Sequence, residues 1–237
     1  MKTIFHKADS RGHANHGWLD THHSFSFGNY FNPKRMNFGA LRVLNDDVVT
    51  GGMGFGSHPH RDMEIITIPL EGALKHGDNM GNSGIIKKGQ IQVMSAGTGV
   101  VHSEINVDSK APVKFLQIWI TPRELGVTPR YQELTIENNQ KENILIPLIT
   151  PKPEENTLWI HQDAWIFMGN FKSSTTQTYQ FQDKASGVYF FLIEGQLKIG
   201  VHILNDRDAI GIFETSSFDI TVENDAEFIL LEVPMIN

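Results

Sequence analysis

Two short pairs of residues stand out because their side chains could bind a metal ion. His58 and His60 are separated by one residue, and so are His102 and Glu104. Residues two positions apart on a β-strand point to the same face. Two such strands, facing each other inside a barrel, would bring three imidazoles and one carboxylate together. This ligand set suits a divalent transition metal, so we predict His58, His60, His102 and Glu104 as metal ligands.

The rest of the sequence favours β-structure around these pairs. Short runs rich in Val, Ile, Leu and Phe recur between Gly, Asn, Asp and Pro residues, which is typical of a sandwich or barrel. Sustained helical periodicity is hard to find, and any helix should be short, near residues 34–37 or in the middle of the chain. The clearest predicted strands are 40–44, 64–70, 92–95, 115–120, 188–193, 197–203 and 227–233.

A faint internal repeat divides the chain into two halves. LEGALKHG at residues 70–77 and IEGQLKIG at 193–200 share five of eight residues, and each predicts a strand, a Glu-Gly turn and a returning strand. A proline-rich stretch over 121–156, with a polar run at 137–143, is typical of a connection. We predict two copies of one barrel, with domains at 1–135 and 136–237 and part of the connection lying as a strand against either half.

The second copy should carry no metal. At the spacing of the repeat, the three predicted ligand histidines correspond to Phe181, Asp183 and Asp225.

Histidines and tryptophans outside the two pairs receive structural roles. Four histidines that crowd one segment should hydrogen-bond to the backbone, and three others lack a same-face partner of ligand type. The tryptophans should lie in the core. The four crowded histidines are His13, His16, His22 and His23, and the three without a partner are His76, His161 and His202. The tryptophans are Trp18, Trp119, Trp159 and Trp165.

Composition limits the function classes. The net charge of −7 and the lack of a basic stretch argue against direct nucleic-acid binding. The absence of cysteine excludes disulfides, thiolate ligands and thiol catalysis. No run approaches the ~18 apolar residues of a membrane span, and the first residues lack a signal-peptide pattern. We therefore expect a soluble cytoplasmic protein with no nucleic-acid or membrane partner; a protein partner is left open.

The two metal-ligand pairs lie in sequence contexts that resemble the two motifs of the cupin superfamily. In the first motif, many cupins use a glutamate as the fourth ligand, at the position that Ile65 occupies here. Glu64 is one residue away, and a shift of one residue turns a side chain to the opposite face. We therefore expect Glu64 to miss the metal and Glu104 to replace it. Gly97 stands where the second motif has proline.

Several segments of the first 135 residues resemble the pirin family within that superfamily, especially the short bacterial pirins described as quercetin 2,3-dioxygenases. The second half resembles it more loosely. The segments that carry the resemblance are RGHANHGWLD (11–20), HSFSFGNY (23–30), LRVLNDD (41–47), HPHRDME (58–64), MGN (80–82) and SAGTGVVHSE (95–104).

The resemblance implies an all-β bicupin fold: two tandem cupin barrels of the double-stranded β-helix, jelly-roll-like type. It also implies one divalent metal in the first barrel, commonly iron, with manganese, cobalt, nickel, copper or zinc as alternatives. The ligands carried over are the same four residues that the spacing selects.

The implied function is a dioxygenase that cleaves a flavonol such as quercetin with O2 and releases CO. Glu104 would be the catalytic base that accepts the proton of the flavonol hydroxyl group. Three alternatives remain open: a non-enzymatic metal- or redox-sensing regulator of pirin type; a cupin enzyme with another reaction, such as an isomerase; and a cupin enzyme acting on another enolisable phenol, for which quercetin is only a surrogate.

Overall fold

Alternating apolar and polar residues form β-strands throughout the protein. The computed structural model describes residues 1–136 and 142–235, and within these ranges it contains twenty strands and one short 3₁₀ helix, Ala8–Ser10. The all-β class is therefore confirmed, and the helix expected near residues 34–37 is wrong because that segment forms turns and bends. None of the helical structure in these two ranges has the length or apolarity to cross a bilayer.

The strands of the first half are β1 (Lys2–His6), β2 (Gly12–Asn15), β3 (Leu19–His23), β4 (Leu41–Val49), β5 (Gly54–His60), β6 (Glu64–Glu71), β7 (Ala73–Asp78), β8 (Ser83–Lys87), β9 (Gln90–Ser95), β10 (Val100–Asn106), β11 (Val113–Ile120) and β12 (Arg130–Thr135). Those of the second half are β13 (Leu145–Thr150), β14 (Leu158–Trp159), β15 (Trp165–Phe171), β16 (Thr175–Gln180), β17 (Ser186–Ile199), β18 (His202–Leu204), β19 (Ala209–Phe213) and β20 (Ser217–Pro234).

Three sheets build two barrels. A seven-stranded sheet, in the order β12-β9-β6-β11-β4-β3-β2, packs against a four-stranded sheet, β5-β10-β7-β8, to form the first barrel. A nine-stranded sheet forms the second barrel, with β1-β19-β17-β20-β15-β13-β14 as its main path and β16 and β18 at its sides. The long strands β17 and β20 pair along most of their length and hold this second sheet together.

The two barrels are filled differently. The interior of the second barrel is a large cluster of buried apolar side chains, including Phe190, Leu197 and Phe228. Among the described residues, the interior of the first barrel holds two smaller apolar clusters, one around Phe115 and one around Ile65. A further cluster joins the outer face of the seven-stranded sheet to the second barrel. The space between the two small clusters is where the first barrel can hold a site.

The internal repeat has different local structures in its two copies. In the first copy, Gly72 makes the predicted turn between β6 and β7, with φ of 76°. The second copy has no such turn in the described structure, because β17 runs through Gly195 without a break. The pairing of β17 with β20 shifts register on either side of Gly195, whose φ is 105°. The expected second turn is therefore wrong; a β-bulge replaces it.

The connection between the halves contributes a strand to each of them. β12 pairs with β9 of the first barrel, and β13 pairs with β15 of the second, as expected for the proline-rich stretch. Most of the predicted polar run, at 137–141, lies outside the described residues. The domain boundary between residues 135 and 136 stays a prediction. One strand of the first half, β1, belongs to the sheet of the second half, because it pairs with β19.

Replacing either of two glycines by alanine should destabilise the protein, but by different amounts. Gly97 and Gly126 both have positive φ, 44° and 68°. A Cβ at Gly97 would collide with the carbonyl oxygen of Val127, whereas a Cβ at Gly126 meets no atom of the described chain within 4 Å. We expect Gly126→Ala to cost about 1 kcal/mol for its backbone conformation and Gly97→Ala about 1–3 kcal/mol more for the collision. Urea unfolding would measure both values; equal losses would contradict the close packing at Gly97.

Candidate metal centre

Neighbouring strands place the two predicted ligand pairs side by side. β5 carries His58 and His60, and β10 carries His102 and Glu104. The two strands are antiparallel partners in the four-stranded sheet, with His102 paired to His58. The pairing of the two strands shifts register between His102 and Glu104. The position of Glu104 relative to β5 therefore does not follow from regular pairing.

The three imidazoles converge on one point. Their ring centroids lie 4.4 Å apart for His58 and His102, 4.8 Å for His58 and His60, and 4.9 Å for His60 and His102. One ring nitrogen from each lies within 4.8 Å of the others. Imidazole nitrogens at a metal lie about 2 Å from it, so small side-chain movements would let all three share an ion.

Glu104 lies deeper in the barrel and is held by three donors. The hydroxyl of Thr67 and the Nε2 group of Gln92 each donate to its Oε1 atom at 2.8 Å, and Nε2 of Gln117 donates to its Oε2 atom at 2.8 Å. Burial raises the pKa of the Glu104 carboxyl above its ordinary value, against the effect of these hydrogen bonds. Oε2 accepts one bond and Oε1 two, so Oε2 has more free capacity to bind a cation or a proton.

Within the described chain, the four predicted ligands do not form one group at that distance. Glu104 instead shares a group with His102 and His76, whose ligand atoms also lie within 4.8 Å of one another. His102 therefore belongs to both groups and links the outer imidazoles to the inner carboxylate.

A row of polar side chains crosses the seven-stranded sheet beneath Glu104. Its members are direct register partners on β9, β6, β11, β4 and β3. The first three hold the carboxylate, and the row ends with a 2.9 Å hydrogen bond between the last two side chains. In strand order the row is Gln92, Thr67, Gln117, Asn45 and His23.

The imidazoles have free nitrogens suited to a metal ion. Both ring nitrogens of His102 are buried and have no hydrogen-bond partner among the described residues. Nδ1 of His58 donates to the carbonyl oxygen of Gly56 at 2.8 Å, which leaves its Nε2 free as a ligand. Burial, and then the neighbouring His58, lowers the pKa of His60 to about 4. Burial, and then His58 and His60, lowers the pKa of His102 to about 3. Neutral imidazoles are the form that ligates metals, so these residues fit a divalent ion.

A cavity of about 500 Å³ opens onto the imidazoles and Glu104. Part of its wall is aromatic, with Phe27 and Trp119 packed edge to face at 5.3 Å. Asp47 also lines it, and the Oδ1 atom of this side chain has no partner in the described structure. Complete burial raises the pKa of Asp47 to about 7. The cavity thus combines aromatic surface with titratable and other polar side chains.

Glu64 lies where the sequence predicts. Oγ of Ser95 donates to its carboxylate at 2.7 Å, while the adjacent Ile65 lines the cavity. The one-residue shift on β6 therefore directs Glu64 away from the imidazoles.

These observations can be compared with known proteins. The Pirin family matches residues 4–120, and the family described as "Quercetinase C-terminal cupin domain" matches residues 148–233. The chain is 39% identical over 230 residues to the quercetin 2,3-dioxygenase of Escherichia coli strain K12, covering 97% of this chain and 98% of that protein. The chain belongs to the pirin family.

Other relatives agree with this membership. A pirin-like protein of Caulobacter vibrioides is 38% identical over 225 residues, covering 94% of this chain and 96% of that protein. The crystal structure of the bacterial pirin YhhW from Escherichia coli, in complex with nickel(II), has a TM-score of 0.94 and 37% identity and covers 99% of this chain and 100% of that one. The predicted bicupin fold is therefore confirmed.

One ligand-type pair was missed by the sequence analysis. His76 was expected to lack a same-face partner of ligand type, and this is wrong. β7 carries His76 and Asp78 beside β10, with His76 paired to Glu104 and Asp78 paired to His102. The same spacing of two positions that selects the other pairs also selects this one.

Two other expectations about side chains need correction. Trp119 was expected in the core but lines the cavity, with its ring 4.9 Å from that of His60. The N-terminal histidines were expected to bond to the backbone, but two of them bond to side chains. His13 pairs with Asp20 at 2.9 Å and His23 with Asn45 at 2.9 Å.

The lowered pKa of His102 predicts a loss of stability on acidification. The pKa of His102 is about 3 in the folded protein and near 6.5 in the unfolded chain. Between these values the unfolded chain holds a proton that the folded protein lacks, so the free energy of unfolding falls as the pH drops below 6.5. At pH 5 His102 accounts for about 2 kcal/mol of this loss.

Urea unfolding of chelator-treated protein at pH 7 and pH 5 would measure the effect. His102→Asn should lose about 2 kcal/mol less than the wild type over this interval. If both proteins lose the same amount, His102 is not held neutral by burial.

Proposed function

We propose that this pirin-family chain is a metal-dependent dioxygenase that opens a flavonol such as quercetin with O2 and releases CO. The observation that carries the proposal is the position of the imidazole group and Glu104 at a partly aromatic cavity of about 500 Å³. Cavities that bind drug-sized ligands have volumes of about 300–1,000 Å³. The names of relatives such as the quercetin 2,3-dioxygenase of Escherichia coli support the choice of reaction.

The proposed ligands are His58, His60, His102 and Glu104, which would hold one divalent transition metal. Iron is the metal we propose first; manganese, cobalt, nickel, copper and zinc also suit nitrogen and oxygen ligands. When bound, the ion would supply Lewis acidity that favours the deprotonated form of a substrate hydroxyl group.

Glu104 is the proposed catalytic base. Its Oε2 atom accepts only the bond from Gln117 among the described residues, and burial raises the pKa of the carboxyl. A carboxylate with a raised pKa is a better proton acceptor. The three donors keep the carboxylate in one orientation, so it would be in place to accept the proton of a flavonol 3-hydroxyl group.

The aromatic wall would bind the flat rings of the substrate. Phe27 and Trp119 meet edge to face and expose ring surface to the cavity, and Phe55 closes the side next to His58. Aromatic stacking and burial favour planar, apolar ligands. These side chains would also exclude water from the reacting ring.

Replacing one imidazole tests the proposal. His102→Asn should lose both its bound metal and its O2 uptake with quercetin, because the ligand that belongs to both groups is removed. His202→Asn is the control, since His202 lies in the second barrel and bonds to Thr3. Elemental analysis, an oxygen electrode and CO trapping would measure the outcomes. Full turnover in His102→Asn would refute the metal-dependent reaction.

Metal content and turnover of the wild type distinguish the alternatives. Bound metal without O2 uptake across a panel of flavonols would contradict a dioxygenase and favour a metal-sensing regulator. Conversion of a phenol in the absence of O2 would favour an isomerase.

A further inference from the structure

The side chains of His76 and Asp78 form a fully buried pair on β7, the strand beside the proposed ligands of β10. Nε2 of His76 lies 3.1 Å from Oδ2 of Asp78, and both side chains are 0% exposed. The His76 ring also stacks on Tyr131, with centroids 4.4 Å apart and planes 20° apart. Two contacts therefore fix the orientation of this imidazole.

Asp78 determines which nitrogen of His76 carries the proton. Three further groups donate to the Asp78 carboxylate: the backbone N–H groups of Met80 and Asn82, and Nδ2 of Asn82. A carboxylate surrounded by donors is an acceptor, so Nε2 of His76 donates to it. In the neutral ring Nδ1 is then an acceptor. That atom is buried and finds no partner in the described parts of the chain.

His102 has the complementary need. An imidazole that ligates a metal through one nitrogen carries a proton on the other, and this N–H group almost always has an acceptor. Neither nitrogen of His102 has a partner within residues 1–136 and 142–235. The rings of His76 and His102 lie 5.5 Å apart, tilted by 44°, and a ligand atom of each lies within 4.8 Å of the other.

We propose that His76 is a positioning residue: its Nδ1 atom accepts a hydrogen bond from the N–H group of His102 that the metal does not use. This inference rests on the proposed metal centre. Forming the bond requires the two rings to move closer together, because no hydrogen bond joins them in the structure. Asp78, His76 and His102 would then form a buried chain that ends at the ion and keeps His102 in one tautomer.

Direct ligation by His76 is the competing arrangement, because His76, His102 and Glu104 also form a group of ligand atoms. Ligation would give His76 Nδ1 a partner but leave the second nitrogen of His102 without one. A hydrogen bond between the two rings satisfies both buried atoms at once. Leaving a buried polar group unpaired is destabilising, so the structure favours the hydrogen bond.

Substitutions at His76 test the proposal through metal affinity rather than activity. His76→Phe keeps a ring on Tyr131 but removes both nitrogens, and it should weaken Zn²⁺ binding about 10–100-fold. His76→Asn places an amide oxygen near the position of Nδ1 and should restore much of the affinity. His202→Phe is the matched control and should bind Zn²⁺ like the wild type. Competition with a chromophoric chelator would measure all four proteins.

The outcomes separate this inference from the proposed function. A wild type that binds no Zn²⁺ would refute the metal centre itself. A wild type that binds Zn²⁺, with His76→Phe within threefold of it, would overturn only the positioning role. X-ray absorption of the Zn²⁺-loaded proteins gives the number of imidazole ligands: one fewer in His76→Phe would show direct ligation and overturn the proposal, and an equal number would support it.

A measurement on the unchanged protein avoids any effect of substitution on folding. Nitrogen-15 NMR of the Zn²⁺-loaded wild type should show His76 protonated at Nε2 and free of metal at Nδ1, with His102 carrying one N–H proton in slow exchange with water. A proton on Nδ1 of His76, or a metal-shifted Nδ1 signal, would contradict the proposal.

Discussion

A carboxylate that lies out of water in the first barrel has to be compensated by groups of the protein itself. Desolvation of an unpaired charge is expensive, and Glu104 is 1% exposed. Its compensation comes from Thr67, Gln92 and Gln117, which lie on three adjacent strands of the opposite sheet. The arrangement requires that these strands keep their register, because a slip of one residue would turn a donor to the other face. The position of the inner proposed ligand is thus fixed by strand pairing in a sheet to which it does not belong.

The two barrels differ in how much apolar surface they bury in their interiors. The second barrel fills the corresponding space with apolar side chains such as Phe190 and Phe228, which contribute hydrophobic stabilisation. The first barrel uses its interior for the polar row, the histidines and the cavity, and keeps only small apolar clusters beside them. The apolar cluster between the barrels joins the outer face of the polar row's own sheet to the second barrel. The second barrel therefore supports the sheet that positions the donors.

Much of this arrangement can be read from local patterns in the sequence. A period of two identifies the strands and puts His58 with His60 and His102 with Glu104, because strand geometry alone fixes which side chains share a face. The same rule, applied without exception, would have found His76 and Asp78.

Other features depend on information that local patterns do not contain. The polar row exists only because particular residues of five strands are register partners, and register between distant strands is not visible in one sequence. The two Glu-Gly sites illustrate a second limit. Gly72 and Gly195 both adopt positive φ, but one forms a turn and the other a bulge, and the surrounding strands decide between them. Trp119 is likewise an apolar residue whose cavity position depends on what faces it.

The pairing of β1 with β19 has a consequence for how the chain is made. β1 is synthesised long before β19, because the two paired strands are far apart in the sequence. β1 therefore stays unpaired until β19 has emerged, and contacts between such distant segments form slowly. A gene split between the two barrels would give one fragment a stray strand and the other an uncovered edge, which is prone to intermolecular pairing.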